Sequence, residues 1–386
     1  MRQLYLAATG QNRGKTTTAL GLVDGFRRRG LHTGFVKPVG QRTVIDGGEP
    51  ADEDAVLMKS IFDLPEPYAV MSPVHIPRGF TKAYIAGQVV EDLGARISDA
   101  HHRFAEHDVL LIEGTGHAGV GAVVGLSNAV VARLLGAPAV IVSEGGVGRP
   151  IDEIVLNASH FAAHGVRVAG AIVNKVRIDE QPGIEETLRR GLARHGIPLL
   201  GVLPYRPILS NPTLGMILES VRGRVISTGP DLDRVIDNVA IGAMEPHHML
   251  ERVDRGTLVI VPGDREDVIL TLATAHLADR ATAGDVDALV DETPGAVQAG
   301  PEQRAIGMVL TGGYEPRPEV LDAIRRAGLF AAFAPDDTYA VASEIHDLLV
   351  KTHPSDSGKI QLIKDLVWEH LRLDPLLAAA AQAAIS

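Results

Sequence analysis

Residues Leu4–Leu22, LYLAATGQNRGKTTTALGL, decide how this chain is read. An apolar run suited to a strand meets a turn at Thr9-Gly10, then Gly14-Lys15-Thr16, then a helical pattern. A loop of the form G-x-x-x-x-G-K-[ST] between strand and helix wraps its backbone N–H groups round phosphate. Its lysine reaches the β and γ oxygens and its hydroxyl serves Mg²⁺. Here Thr9 stands at the first glycine position with Gly10 behind it, and Gln11-Asn12-Arg13 fill the interior. The helix start adds its own preference for an anion. The stretch predicts a nucleotide phosphate site over Thr9, Gly10, Gln11, Asn12, Arg13, Gly14, Lys15, Thr16 and Thr17.

Outward from this loop, further strand-like runs alternate with amphipathic helical stretches: TGFVKP, DVLLIEG, PAVIVSEG, VAGAIVNKV and PLLGVLP. Continuous apolar runs separated by helices indicate an α/β fold with a mainly parallel sheet covered on both faces. The pattern defines a first domain over residues 1–215. A second, smaller α/β domain is expected over 216–386, carrying GTLVIVPGD, AIGMVLTGG and LFAAFAP and ending in helices broken at Asp374-Pro375. Within it, residues 280–304 are rich in Gly, Pro and acids and weak in periodicity, so an exposed, mobile insertion is expected there.

The chain has 386 residues, no cysteine and a net charge of −11. That length suits two domains. Lack of cysteine excludes disulfides and thiolate catalysis. The acidic balance argues against a nucleic-acid partner, which needs concentrated Lys and Arg. No run of about 18 apolar residues appears, so no membrane span is expected. The N-terminus lacks the charged, apolar and small-residue blocks of a secretory signal, so a cytoplasmic protein is expected.

Mg²⁺ takes hard oxygen ligands, so one or two carboxylates should lie beside Thr16. Glu113 ends the buried run DVLLIE, where an acid without a cation is poor packing. Asp52, Glu53 and Asp54 precede a helix and suit either N-terminal capping or the metal. Lys37 ends the second strand, on the side where ligands of open α/β sheets lie, and Asn174-Lys175 end a later one. In the second half, Asp264-Arg265 and Thr311-Gly312-Gly313 follow strands and could form a second ligand site. Arg265 suits an anion, or equally an ion pair with Asp264 that caps the next helix. The paired histidines His101-His102 and His247-His248 fit no standard zinc spacing with supporting acids.

In order, Thr9 to Thr16, Lys37-Pro38-Val39, Asp54-Ala55, Glu113-Gly114-Thr115-Gly116, Asn174-Lys175 and Gly201 to Pro204 resemble the motifs of dethiobiotin synthetase and the related cobyrinic acid a,c-diamide synthases. The resemblance covers about residues 1–215 and implies an ATP- and Mg²⁺-binding P-loop domain. It implies that Lys15 and Lys37 flank the transferring phosphoryl group as catalytic residues. Thr16, Asp54 and Glu113 would hold Mg²⁺, Asn174 would contact the adenine, and Pro204 would belong to the nucleotide set. The synthetases' acidic loop residue is replaced by Gln11-Asn12-Arg13, and Gly40-Gln41-Arg42 replace the small hydroxylic residue near their diamine. The nucleotide half of the resemblance is thus kept and the biotin-precursor half is not.

The second half is similar to the DRTGG domain, on VPGDREDVIL, LTGGYEP, DDTYAVASEI and DSGKIQLIKDLV. The pairing resembles the N-terminal part of long bacterial phosphotransacetylases, with the chain ending before a transacetylase domain. It implies a regulatory or sensory ATPase coupled to the DRTGG domain, or alternatively an ATP-dependent ligase that phosphorylates a small carboxylate or carbamate. Residues 40–42 and 117–128 would then flank the acceptor. The resemblance also implies a homodimer or larger homo-oligomer, with a small-molecule or protein partner left open.

Overall fold

The computed structural model describes residues 1–229, 231–287, 305–348 and 350–381. The chain divides into two units: residues 1–206 with 352–386, and residues 207–351. In the first, strands β1 (Arg2–Ala8), β2 (Thr33–Val36), β3 (Val109–Glu113), β4 (Ala139–Glu144), β5 (Val168–Val176) and β6 (Leu199–Pro204) form one sheet, ordered β6-β5-β4-β1-β3-β2. All its pairings are parallel. The β3 residues Val109, Leu110, Leu111 and Ile112, Leu4–Ala8 of β1 and Ala139–Val142 of β4 are buried, as strands covered on both faces must be.

Helix α1 (Lys15–Arg28) follows β1 through the phosphate loop. Helix α2 (Glu53–Phe62) follows a hairpin, Thr43–Asp46 with Glu49–Asp52. Helices α3 (Asn128–Leu134) and α4 (Gly148–Ala163) follow β3 and β4. The carboxyl ends of the parallel strands therefore open toward one edge, with helix N-termini beside them.

The second unit has its own sheet of β7 (Arg224–Ser227), β8 (Asn238–Ile241), β9 (Thr257–Pro262), β10 (Ala305–Thr311) and β11 (Phe330–Phe333), ordered β7-β11-β10-β9-β8. Only β7 runs antiparallel to its neighbour. Helices α5 (Glu266–Asp287), α6 (Pro318–Ala327) and α7 (Thr338–His346) accompany it. The mainly parallel α/β architecture expected from the sequence is present in both units. Residues 280–287, assigned to the insertion, continue α5; the rest of that expected insertion lies outside the described residues.

The last helices, α8 (Ser357–His370) and α9 (Leu373–Ala381), correct the expected boundary. They were expected in the second domain and belong instead to the first unit. The cause is packing. Gly21 and Gly25 leave the α1 surface bare, and a Cβ on them would sit 2.3 Å from Val367 and 2.8 Å from Leu373. Lys364 and Arg28 pair with Asp24 and Asp365 at 3.6 and 3.2 Å, and Leu371 bridges to Gly201 in β6. Alanine at position 21 would gain about 1 kcal/mol of helix propensity, yet the clash forces the helices apart. Gly21→Ala is expected to destabilise the chain by about 1–3 kcal/mol, and Val367→Gly in the same chain, which removes the Val367 Cβ at 2.3 Å as well as its methyls, to recover part of it. Urea unfolding of the two single variants and the double variant measures this.

Candidate functional site

The phosphate loop closes on Gly14, whose φ of 86° lies in the left-handed region. A Cβ there would fall 1.9 Å from the Asn174 amide nitrogen, so both backbone and neighbour require glycine. Asn174 in turn donates to the Arg13 carbonyl at 3.2 Å, and Thr18 donates through N and Oγ1 to the Gly14 carbonyl. Side chains from β5 thus hold the loop carbonyls, Asn174 that of Arg13 and Lys175 that of Asn12.

Beside it lies a tight cluster. Lys37 Nζ donates to Asp54 Oδ2 at 2.5 Å and to Glu113 Oε1 at 2.9 Å. Thr16 Oγ1 lies 3.0 Å from Asp54 Oδ1 and 3.0 Å from Glu113 Oε1. A hydroxyl has one proton and cannot donate to both carboxylates at once. Glu113 is fully buried and its Oε2 has no hydrogen-bond partner. A hydroxyl shared between two carboxylates, one of which keeps a second buried oxygen without a partner among the described residues, is the kind of hard-oxygen donor set Mg²⁺ takes, so Thr16, Asp54 and Glu113 fit the ion.

The charges reinforce one another. Burial pushes the Glu113 carboxyl up to about 7, against the pull of Lys37. Burial alone would raise Asp54, but the Lys37 ammonium overrides it and holds the carboxyl low. Burial also penalises the Lys37 charge, which Asp54 and Glu113 more than offset, so its pKa sits well above that of a free lysine. Lys15 has no ion pair among the described residues, and Glu113 and Asp54 act on it only at longer range. Burial, then repulsion from Lys37, pulls it down to about 8, so it is a cation in want of an anion.

The three acids at the start of α2, Asp52 at its cap and Glu53 and Asp54 in its first turn, divide the roles left open by the sequence. Asp52 caps the helix by accepting from the Asp54 N–H at 3.1 Å. Glu53 pairs with Arg42 at 3.2 Å. Asp54 alone turns to Thr16 and Lys37.

The loop interior has partners that the sequence reading missed. Arg13 bonds to Glu144 and lies 3.8 Å from Glu153; Lys175 reaches Glu144 at 3.1 Å and the Asn12 carbonyl at 2.9 Å. Thr9 Oγ1 donates to Glu153 Oε2 at 2.8 Å. Glu144 ends β4 as Glu113 ends β3, and that repeat of an acid closing an apolar run was the available signal. Gln11 and Asn12 are exposed. Pro204 ends the edge strand β6 in register with Val176, at the Asn174 end of the sheet.

A second feature adjoins the cluster. Val39 and Thr115 lie two residues beyond Lys37 and Glu113 and are joined by a bond from Thr115 Oγ1 to the Val39 carbonyl at 2.7 Å. They line a cleft of about 80 Å³ with Gln41, Ile76, Thr81, Val120, Val124 and Leu126 among others.

In the second unit Arg265 pairs with Asp267 at 2.9 Å, not with Asp264, and also donates to the Ala243 and Met244 carbonyls. Its guanidinium thus ties the segment after β8 to the start of α5. Thr311 bonds to Thr338 at 2.7 Å, and Gly312 and Gly313 turn at positive φ. His247 and His248 gain a neighbouring acid, Glu245, with one ligand atom from each of the three within 4.8 Å; all three are exposed.

A six-stranded parallel sheet with a phosphate loop at its first strand–helix turn defines a P-loop α/β protein. Residues 2–213 match the AAA domain family and residues 216–348 the DRTGG domain. The first match spans more than half the chain, so the chain belongs to that AAA domain family, and it carries a DRTGG domain after it. Among curated relatives, it is 23% identical over 98% of its length to a phosphate acetyltransferase of Nitrosomonas europaea, and 28% identical over 96% to one of Pseudomonas putida. The chain spans about half the length of these relatives, 51% in each case. One similar solved structure holds the CBS and DRTGG domains of a Clostridium perfringens pyrophosphatase with diadenosine tetraphosphate. It is 15% identical with a TM-score of 0.26, covering 41% of this chain and 63% of that one. Among the described residues no helix is long and apolar enough to cross a membrane.

Proposed function

We propose that the first unit binds ATP with Mg²⁺ and that the chain works as a regulatory or sensory ATPase coupled to its DRTGG domain. The observation that carries this is the convergence of Thr16, Asp54 and Glu113 at 3.0 Å beside the N-terminus of α1. Bound Mg²⁺ would supply charge neutralisation at the β and γ phosphates. Lys15 has a depressed pKa that an entering phosphate would restore. Lys37 shares Asp54 and Glu113 with Thr16, and in this reading it turns from the carboxylates to the phosphoryl oxygens when nucleotide enters. Asn174 and Pro204 mark the side of the sheet where the base would lie. The relatives are named phosphate acetyltransferase, and an activity of that kind is the output whose control this reading proposes. A cytoplasmic homodimer or larger homo-oligomer belongs to the same reading, which sedimentation in the presence of nucleotide measures.

A second reading, phosphorylation of a small carboxylate, is favoured by the cleft lined by Val39 and Thr115, each two residues beyond Lys37 and Glu113 in sequence. Calorimetric titration of ATP, GTP and ADP into the intact chain, with Mg²⁺ and with EDTA, tests the nucleotide itself. Saturable ATP binding that weakens at least about tenfold in EDTA, or about 1.4 kcal/mol, is expected. Absence of saturable binding of any of the three contradicts the proposal.

A further inference from the structure

We infer that Glu245, His247 and His248, on the second unit, form a surface site for a divalent transition-metal ion of the zinc class, held by two imidazole nitrogens and one carboxylate oxygen. The inference is independent of the nucleotide reading above.

Geometry comes first. Among the described residues these three are the one group of His, Cys, Asp or Glu whose ligand atoms, one from each, all lie within 4.8 Å of one another. Consecutive residues of a helix point about 100° apart, so neighbouring imidazoles usually diverge. Here the ring centroids of His247 and His248 are 3.9 Å apart, tilted by 42°. His247 Nδ1 lies 3.7 Å from Glu245 Oε2, too far for a hydrogen bond and close to the spacing of two ligands on one ion. Donors at about 2.0–2.1 Å from a tetrahedral Zn²⁺ are about 3.4 Å from each other. All three side chains are exposed, and a small rotation of each closes the difference.

The backbone beneath them is fixed. Gly242 donates to the Ile260 carbonyl of β9 at 2.7 Å, and Met249 donates to the Glu245 carbonyl at 2.9 Å. Met249 is buried in the core of the second unit, which seats the short helix Pro246–Leu250. Arg265 donates to the Ala243 and Met244 carbonyls at 3.1 and 2.8 Å, just ahead of Glu245. The ligands therefore stand on a held segment and lose only side-chain freedom when an ion binds.

Chemistry selects the ion. Two imidazoles with one carboxylate suit Zn²⁺, Co²⁺, Ni²⁺ or Cu²⁺, whereas Mg²⁺ and Ca²⁺ take oxygen ligands. Three protein ligands leave a position for water. The nearby guanidinium of Arg265 is matched by both Asp267 oxygens at 2.9 and 3.0 Å, so the Glu245 charge is left for the ion. The helix is barely one turn long, so its dipole opposes a cation only weakly. The other histidine pair read from the sequence differs: the His101 and His102 rings are 6.1 Å apart, and His101 Nε2 lies 2.7 Å from Gln3 Oε1.

The test titrates Zn²⁺ by calorimetry into the intact, tag-free chain, with millimolar Mg²⁺ present throughout as a competing hard cation. The inference expects a saturable site that weakens at least about tenfold in His247→Ala, in His248→Ala and in Glu245→Ala, and is unchanged in the control His102→Ala. Melting temperatures of the variants report that they fold. Diethylpyrocarbonate modification of the unmodified chain gives a second reading: Zn²⁺ should protect His247 and His248 and leave the exposed His102 reactive. No saturable Zn²⁺ binding, unchanged affinity in the folded His247→Ala and His248→Ala chains, or an equal loss in His102→Ala overturns the inference. Equal reactivity of His247 and His248 with and without Zn²⁺ overturns it as well.

Discussion

Lys15→Ala weakens ATP binding by about 100-fold or more, close to 2.7 kcal/mol, in a chain that stays folded. Lys15 opens α1 and is only 9% exposed. Among the described residues no carboxylate lies at hydrogen-bond distance from it, and Asp54 and Glu113 are both engaged by Lys37. Its charge is therefore destabilised in the free protein, with the pKa pulled down to about 8 by burial and then by Lys37. An entering polyphosphate offsets both the burial and the repulsion from Lys37, so the lysine contributes more to binding than an exposed one would. Its removal takes away a cation that the fold does not need. Calorimetric titration of ATP and a melting curve of the variant measure the two quantities. A loss of ATP affinity smaller than threefold contradicts the assigned role.

The second large effect concerns Lys37. Its ammonium, 5% exposed, lies between two carboxylates and occupies the position a cation would share with Thr16. Lys37→Met leaves Asp54 and the fully buried Glu113 facing each other without a counter-charge. Removing one partner of a buried ion pair costs about 3–5 kcal/mol, so the variant is expected to melt at least about 6 °C lower in EDTA. Millimolar Mg²⁺ should then recover a large part of that loss without nucleotide, since a ligand at about 100 times its Kd contributes about 2.7 kcal/mol. The unmodified chain, holding its own ammonium there, should respond to Mg²⁺ far less. Melting curves of both chains with EDTA and with Mg²⁺ decide it, and equal responses refute the account of Lys37.

What the sequence made legible was local. Gly14-Lys15-Thr16, Lys37 and Glu113 each sit at the end of a strand or the start of a helix, and strand ends of a parallel sheet converge on one edge. Once the α/β pattern is read, their meeting follows from topology. Asp52 and Asp54 could not be told apart, because capping and ligation differ only in which way neighbouring side chains turn round the first turn of α2. Arg13 was legible as an unusual loop residue but not in its partners, since Glu144 lies 131 residues away. The C-terminal helices carried an apolar face with no mark of what it covers. The complementary signal was the Gly21 and Gly25 pair on α1, one helical turn apart, which reads as a bare stripe only after Val367 and Leu373 are seen against it. Arg265 was read beside its sequence neighbour Asp264, whereas the chain turns it to Asp267, where both carboxylate oxygens meet the guanidinium fork.

The central claim is that Thr16, Asp54 and Glu113 form the Mg²⁺ side of an ATP site and that Lys37 holds their charge in the absence of nucleotide. The most direct measurement is a crystal structure of the intact chain with Mg²⁺ and a non-hydrolysable ATP analogue. The account predicts the ion on Thr16 Oγ1 with Asp54 and Glu113 around it, the phosphates on the N–H groups of residues 10–16, and Lys37 Nζ turned to the γ-phosphate. Nucleotide bound elsewhere, or phosphates in the loop with Lys37 still bridging both carboxylates and no ion beside Thr16, would contradict it.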